Sequence, residues 1–325
     1  MAFLRELLER YDPDGLELDW MRFAHHLTPG REREEGAVLD DFMREARALV
    51  RAKATALGRP VLLGVRVPAH PDAAAGLGMD AVRWAREGLV DLIVPCPYHS
   101  TSDFDIPVEL WRERLGADLA RVVVAPGLEH NARAWPAGKN AANTLASARG
   151  FAAAAWQRGA DGLYLFNWMD SDTRPVDPAE YAQLLREGLS REAATTGRRR
   201  HPATYRDTVP AGFPNGVQLP IEGPAGGTVR LQLSPVPASA DVVLVVGLAQ
   251  REGLAKSRME ARLNDVPLEA RPDLDDTRGL ALTARALRFA CPPKAGRTGE
   301  NTITLRQVDG PAQQVVWVEL RVEPK

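Results

Sequence analysis

The sequence contains little cysteine, almost no net charge and no long apolar run. Its two cysteines, Cys96 and Cys291, lie far apart in a chain of 325 residues, which excludes a disulfide framework and a CxxC metal knuckle. A net charge of −2 gives no reason to expect nucleic acid or an anionic membrane as a partner. No apolar run reaches the length that spans a bilayer.

Motifs for cofactor chemistry are missing as well. The sequence has no Gly-rich phosphate loop and no GxSxG turn, and His99, His130 and Asp19 lack the spacing of metal ligands. We therefore expect neither a cofactor nor a metal. The first residues, MAFLRELLERYD, lack a signal-peptide core and have the spacing of an amphipathic helix. This predicts a cytoplasmic protein, or a secreted or periplasmic one if the true N-terminus lies upstream.

Strand-like and helix-like segments alternate over the first part of the chain. Short strands are predicted at residues 14–19, 61–67, 90–95, 121–126 and 161–167, a pattern typical of parallel βαβ units. An eight-stranded barrel needs three more strands. The predicted fold class is therefore α/β plus all-β, in which residues 1–195 form a partial TIM (β/α)8-type barrel, strands four to eight. An oligomer is expected only if a second chain supplies the missing strands in trans.

The pattern changes after residues 196–216, a polar segment that we predict to be a linker containing a solvated run, Arg198–Arg200. Residues 217–325 carry short alternating runs separated by turn residues, for example Thr228–Leu233 and Asn301–Leu305. That pattern is typical of an antiparallel β-sandwich. These strands show no row of exposed aromatic residues, so we expect the domain to brace the barrel rather than to bind glycan.

Polar side chains cluster at the predicted ends of the barrel strands, where (β/α) barrels carry their active sites. They are Glu17, Asp19, Arg22, Arg66, Tyr98, His99, Glu129, His130, Asn167, Trp168 and Asp170. Glu17 and Glu129 provide the two carboxylates that glycoside hydrolysis requires, one as acid and the other as nucleophile or base. Asp19 would raise the pKa of Glu17 through like-charge proximity.

Other interpretations of these residues remain open. Glu17 or Asp19 would instead pair with Arg22 or Arg66 in a buried ion network, and Glu129 would lie in a solvent-exposed loop. A second hypothesis, supported by the three missing strands and by Met21, is that the chain is a non-catalytic carbohydrate-binding or structural protein with a degenerate barrel. Binding of a glycan without hydrolysis would distinguish this alternative from an enzyme.

Four segments, YDPDGLELDWMRF, LLGVRVP, WAREGLVDLIVPCPYH and GADGLYLFNW, together resemble bacterial glycoside-hydrolase-like (β/α) barrel proteins. These are often described as family-10-like and commonly end in a β-sandwich. The resemblance implies that Glu17 and Asp19 lie on the fourth barrel strand. By position, Glu17 and Glu129 match the acid/base and the nucleophile of related retaining glycosidases. The first segment also resembles the catalytic strand of family 18 chitinases, but Met21 occupies the position of their glutamate and cannot donate its proton.

Two C-terminal segments, ARLNDVPL and GENTI, resemble turns of jelly-roll accessory modules in glycosidases. They imply that the β-sandwich is jelly-roll-like. We therefore expect a glycoside hydrolase-like protein that hydrolyses O-glycosidic bonds of a carbohydrate by a two-carboxylate mechanism. Its expected catalytic residues are Glu17, Glu129 and Asp19. Its expected substrate-binding residues are Arg22, Arg66, Tyr98, His99, Asn167 and Trp168.

Overall fold

Helices and parallel strands alternate through the first part of the computed structural model. The structure describes residues 1–22, 25–98, 101–169, 177–206 and 216–324, without the side chain of Glu187. The helices are α1 (Ala2–Arg10), α2 (Glu32–Glu35), α3 (Ala37–Leu57), α4 (Pro71–Gly76), α5 (Ala81–Arg86), α6 (Val108–Leu115), α7 (Leu145–Gln157), α8 (Pro178–Gln183) and α9 (Arg191–Thr196). The strands of this part are β1 (Gly15–Asp19), β2 (Leu62–Pro68), β3 (Leu92–Cys96), β4 (Val123–Val124), β5 (Gly127–Glu129), β6 (Asn131–Ala132), β7 (Ala141–Ala142) and β8 (Tyr164–Phe166). The predicted mixture of helix and sheet is confirmed.

The parallel strands form a four-stranded sheet in the order β1-β2-β3-β4 and a separate parallel pair, β5 with β8. Only Ala125 and Pro126 separate β4 from β5, and both continue the hydrogen bonding. Ala125 N donates to Ile93 O at 3.0 Å, and Pro126 O accepts from Tyr164 N at 3.1 Å. Hydrogen-bonded neighbours therefore run from β1 to β8. The carboxyl ends of parallel strands lie at one edge.

The strand register decides which side chains share a face. Asp19 of β1 lies beside Arg66 of β2, and Glu129 of β5 lies beside Phe166 of β8. Side chains two residues apart on a strand point to the same side, so Glu17 shares the face of Asp19. The acidic alternation predicted for the first strand is therefore present.

Helix α3 packs on β2 with an apolar stripe. Leu39, Met43, Ala46 and Val50 are buried and follow one another at spacings of three or four residues, the period of one helix face. The helix ends at Gly58, whose φ of 64° is a left-handed conformation that glycine adopts without strain. Among the described residues, no helix is both long and apolar enough to cross a membrane.

Helix α7 packs directly against a strand, β9 (Arg199–Pro202). The helix begins with a capping box in which the Thr144 side chain accepts from Ser147 N, and Ser147 Oγ accepts from Thr144 N at 2.7 Å. Its buried face consists largely of small residues. At Gly150, an added Cβ would lie 2.0 Å from the main-chain oxygen of Arg200, so the close approach of helix and strand requires glycine there.

Two antiparallel sheets make up the C-terminal part. Their strands are β10 (Ile221–Glu222), β11 (Gly227–Leu233), β12 (Asp241–Leu248), β13 (Arg258–Leu263), β14 (Val266–Pro267), β15 (Glu269–Leu274), β16 (Arg285–Cys291), β17 (Gly299–Asp309) and β18 (Gln314–Glu323). One sheet has the order β10-β18-β12-β16-β15, with β9 also paired to β18, and the other has the order β11-β17-β13-β14. The predicted alternating runs correspond to β11, β12, β13, β16, β17 and β18. Strand β15 was missed because most of its residues are exposed and no apolar alternation marks it.

Strand β9 lies inside the predicted linker, residues 196–216, and the prediction of a solvated arginine run is wrong at two positions. Arg199 is buried and donates to Ser234 Oγ at 2.6 Å. Arg200 forms an ion pair with the buried Glu319 at 2.8 Å. The strand is stable there because its backbone pairs with β18 and because Glu319 balances the charge of Arg200.

Candidate functional site

Polar side chains meet at the carboxyl end of the parallel strands. Asp19 ends β1, Arg66 lies in the second half of β2, Glu129 ends β5, and Asn167 directly follows β8. This edge is where parallel sheets in α/β folds place their ligands. Together with Glu17, these are five of the residues that the sequence predicts for the site.

Arg66 is a buried anchor rather than an open binding group. Its Nη2 donates to Asp19 Oδ2 at 2.8 Å, and its guanidinium carbon lies 3.8 Å from the centre of the Phe166 ring. Only 1% of Arg66 is exposed. The ion pair that was left open as an alternative for Asp19 is therefore present, and the burial of Arg66 does not fit direct contact with a substrate.

Glu17, like Asp19, is exposed. Its Oε1 accepts a hydrogen bond from Tyr164 Oη at 3.4 Å. Although part of the carboxyl faces solvent, desolvation by the surrounding protein raises the pKa of Glu17, and the charge of Asp19 raises it further. The Tyr164 hydrogen bond and the charge of Arg66 oppose this without cancelling it. A carboxyl with a raised pKa is suited to donate a proton.

Glu129 is completely buried, so the alternative of an exposed loop residue is wrong: β5 pairs with β8 and encloses it. Its Oε1 accepts from His130 N at 2.8 Å and contacts His130 Nδ1. Its Oε2 accepts from Asn167 Nδ2 at 3.1 Å. The main-chain oxygen accepts from Ser102 Oγ at 2.6 Å and from Asn143 Nδ2 at 2.8 Å. All three oxygens of Glu129 are therefore held in place.

Asn167 has a backbone conformation that few residues adopt. Its φ is 59°, in the left-handed region that asparagine tolerates better than most residues with a side chain. The bend directly follows β8 and places the amide against Glu129. Residues held in such conformations are common where a side chain must be aimed at a functional group.

The other predicted substrate-binding residues have different surroundings. Trp168 is buried, and its Nε1 donates to Leu128 O at 3.0 Å, so its ring packs in the interior instead of facing a sugar. Tyr98 is half-buried against the core, and Arg22 is exposed. His99 and Asp170 lie outside the described residues.

Four further residues of the site were missed by reasoning from the sequence. Tyr164 donates a hydrogen bond to Glu17, and the Phe166 ring packs against the guanidinium of Arg66. Their alternation in the predicted strand 161–167 was a usable signal for one shared face. Ser102 and Asn143 gave no signal, because they reach Glu129 through contacts that only the folded chain creates.

The hydrogen bond from Asn143 to Glu129 predicts that Asn143 holds Glu129 in position for catalysis. Asn143→Ala should lower kcat about tenfold with little change in KM, because a displaced carboxylate reacts more slowly while substrate contacts persist. The measurement is steady-state kinetics on a glycan that the protein cleaves. Asn140→Ala is the matched control, since its Oδ1 accepts from Arg133 Nε. Equal losses of kcat in both variants, or a change in KM alone, would argue against a positioning role for Asn143.

No family model matches the chain, and no curated protein matches it. Among solved structures, it is similar to a family 86 glycoside hydrolase, BuGH86, in complex with neoagarooctaose, with a TM-score of 0.27 and 14% identity over 38% of this chain and 18% of that one. It is similar to a family 86 β-porphyranase from the human gut bacterium Bacteroides plebeius, with a TM-score of 0.26 and 14% identity over 39% of this chain and 20% of that one. It is also similar to a family 18 chitinase from Chromobacterium violaceum, with a TM-score of 0.35 and 8% identity over 94% of this chain and 67% of that one.

These similar structures are glycoside hydrolases of families 86 and 18, so the resemblance to family 10 is not specifically supported. The chain spans only 18% and 20% of the two family 86 chains. All three TM-scores are low. The chemistry of the site must therefore be judged from the residues of this chain.

Proposed function

We propose that this chain is a glycoside hydrolase-like protein that cleaves O-glycosidic bonds of a carbohydrate with Glu17 and Glu129. One observation carries the proposal: both carboxylates contact side chains of one short segment, Tyr164 at the start of β8 and Asn167 directly after its end. Glu17 accepts a hydrogen bond from Tyr164, and Glu129 accepts one from Asn167. Two carboxyl groups that converge in this way and have different environments are what the reaction uses.

The different environments suggest a role for each carboxyl group. Glu17, with its raised pKa, donates a proton to the glycosidic oxygen as the bond to the leaving sugar breaks. Glu129 acts as the nucleophile or as the base that activates water. Hydrogen bonds from His130 N and Asn167 orient its two oxygens. Asp19, held by Arg66, keeps a negative charge near Glu17.

The proposed fold behind this site is a partial (β/α)8-type barrel. It is supported by the order of the parallel strands, which follows the sequence from β1 to β4 and continues to β8. In this assignment residues 1–195 hold strands four to eight, and residues 217–325 form a jelly-roll-like sandwich that braces them. Strand β9, from the segment between, pairs with β18. An oligomer is expected only if a second chain supplies the missing strands in trans.

A non-catalytic carbohydrate-binding or structural protein is the second candidate. The burial of Glu129, which has no exposed surface, favours it, because a sealed carboxylate cannot reach a glycosidic carbon until Asn167 or another covering group moves. The Asp19–Arg66 ion pair also fits a structural role. The two candidates differ in one outcome: a hydrolase releases new reducing ends from the glycan that it binds.

The pH profile of kcat/KM tests the role of Glu17. Hydrolysis should decline on the alkaline side as Glu17 loses its proton, at a pH above the usual range for a glutamate because burial raises its pKa. Asp19→Asn should move this decline to lower pH, since it removes a like charge and leaves Arg66 to act on Glu17. Tyr164→Phe should move it to higher pH, because the hydrogen bond that lowers the pKa is lost.

Glu17→Gln completes this test. The variant should lose at least about 10²-fold of activity, as expected for removal of a general acid, and its remaining activity should lack the alkaline decline. Glu9→Gln, an exposed glutamate on α1, is the matched control. The assignment of Glu17 as the acid would be contradicted if the alkaline decline moved in the same direction in the Asp19 and Tyr164 variants. It would also be contradicted if the pH profile of Glu17→Gln matched that of the wild type.

A further inference from the structure

A cavity of about 390 Å³ lies where the segment after β3 meets the antiparallel sheets. Asp103, Asp105 and Arg206 form one group of lining residues, called the first wall below, and Arg230 and Glu300, from β11 and β17, line the cavity from the antiparallel sheets. None of the residues predicted for the site at the strand ends lines this cavity. Its volume lies within the range of about 300–1,000 Å³ that small-molecule sites occupy.

The first wall is a compact polar cluster. Asp103 is only 2% exposed, and its Oδ1 accepts from Asp105 N at 2.8 Å. Its Oδ2 accepts no hydrogen bond among the described residues, although Arg206 Nε lies 3.7 Å away. Arg206 is fixed in turn by donation from its Nη2 to Asp105 Oδ2 at 2.9 Å. Burial raises the pKa of Asp103 to about 6, so the carboxyl has access to both protonation states near neutral pH.

The polar groups of the lining are complementary to hydroxyl groups. A guanidinium only donates hydrogen bonds and a carboxylate only accepts them, whereas a hydroxyl does both. Both parts of the chain that line the cavity contribute an arginine and at least one carboxylate, so the hydroxyls of one ligand find donors and acceptors from each part. Three acidic and two arginine side chains line the cavity, which disfavours an anionic ligand. Phe104, which is largely buried, adds an apolar edge to the lining.

We propose that this cavity binds a neutral monosaccharide or disaccharide, at a site separate from Glu17 and Glu129. Its walls come from the α/β part and from the antiparallel sheets, so a bound sugar contacts both parts of the chain. The inference rests on the lining of the cavity and does not require that the protein hydrolyse any glycan.

Calorimetric titration of the full chain tests the proposal. The probes are cellobiose, maltose and lactose, with glucuronic acid as an anionic comparison, and the protein carries Glu129→Gln so that turnover does not contribute heat. At least one neutral sugar should bind. Arg230→Ala combined with Glu300→Gln should weaken that binding by about tenfold or more, since it removes charge-assisted hydrogen bonds. Both side chains are exposed, so the fold should tolerate the change.

Arg306→Ala, at an exposed position of β17 outside the cavity lining, is the matched control and should bind as the parent does. Unchanged affinity in the Arg230/Glu300 variant would overturn the proposal. So would heat with glucuronic acid alone, or no binding of any neutral probe at about 10 mM. If binding depends on Arg230 and Glu300 while the wild type hydrolyses nothing, the proposed function fails and this site stands. If hydrolysis depends on Glu17 while sugar binding is unchanged in the Arg230/Glu300 variant, the proposed function stands and this site fails.

Discussion

Glu129→Gln should reduce kcat by at least about 10³-fold, because an amide can neither attack a glycosidic carbon nor accept a proton from water. The change preserves the size of a side chain that is completely buried, so the fold should survive. The amide oxygen of the glutamine can still accept a hydrogen bond from one of the two groups that now donate to Glu129, His130 N and Asn167 Nδ2. The measurement is kcat on a glycan that the wild type cleaves, together with the melting temperature of both proteins.

A companion variant tests whether Glu129 acts at the anomeric carbon. Glu129→Ala leaves a space for a small anion such as azide, which should attack that carbon, restore turnover and yield a glycosyl azide. The anomeric configuration of the wild-type product then separates the two roles: retention if Glu129 is the nucleophile, inversion if it is the base. Glu113→Gln, an exposed glutamate on α6, is the control and should match the wild type. A Glu129→Gln variant with kcat within about tenfold of the wild type would remove Glu129 from the mechanism.

Gly150→Ala should destabilise the protein by about 3 kcal/mol or more, against the usual direction for this substitution. Glycine to alanine within a helix normally stabilises by about 1 kcal/mol. Here the new Cβ would lie 2.0 Å from Arg200 O, a main-chain atom of β9 that cannot swing away as a side chain can. Strand β9 is paired with β18, so relief of the clash requires α7 or the sheet to move.

Urea unfolding of the full chain measures this effect. Gly162→Ala is the matched control, because its added Cβ would meet only the Ala125 Cβ at an ordinary 3.5 Å. That variant should remain within about 0.5 kcal/mol of the wild type. A Gly150→Ala protein that is as stable as the wild type, or more stable, would show that α7 does not pack on β9. It would also restore the interpretation of residues 196–216 as a free linker.

The strands of the first part were predictable because their signal is local. A run such as Leu62–Pro68 is apolar and short, and Gly15–Asp19 alternates apolar and acidic residues, so each segment indicates its own conformation. The side on which Glu17 and Asp19 lie follows from the same period of two. That the carboxyl ends of successive parallel strands share one edge is a general property of such sheets, so the location of the site could also be predicted.

Burial of charged residues was not predictable, because it depends on partners distant in sequence. Arg199 and Arg200 look like a solvated run until β9 pairs with β18 and Glu319 comes into contact. Glu129 looks like a loop residue until β5 pairs with β8. The environment of Arg66 likewise depends on the Phe166 ring, which comes from a strand one hundred residues further along the chain, at Tyr164–Phe166. In each case an isolated charge would favour solvent, and a specific long-range contact reverses that preference.

The release of new reducing ends is the direct test of whether this protein hydrolyses the glycan that it binds. Wild type and the Glu17→Gln/Glu129→Gln double variant are each incubated with neutral polysaccharides, and binding of the same polysaccharides is measured in parallel. The wild type should release new reducing ends from a polysaccharide that both proteins bind, and the double variant should release none above background. A wild type that binds a polysaccharide and never shortens it would disprove hydrolysis and support the non-catalytic alternative.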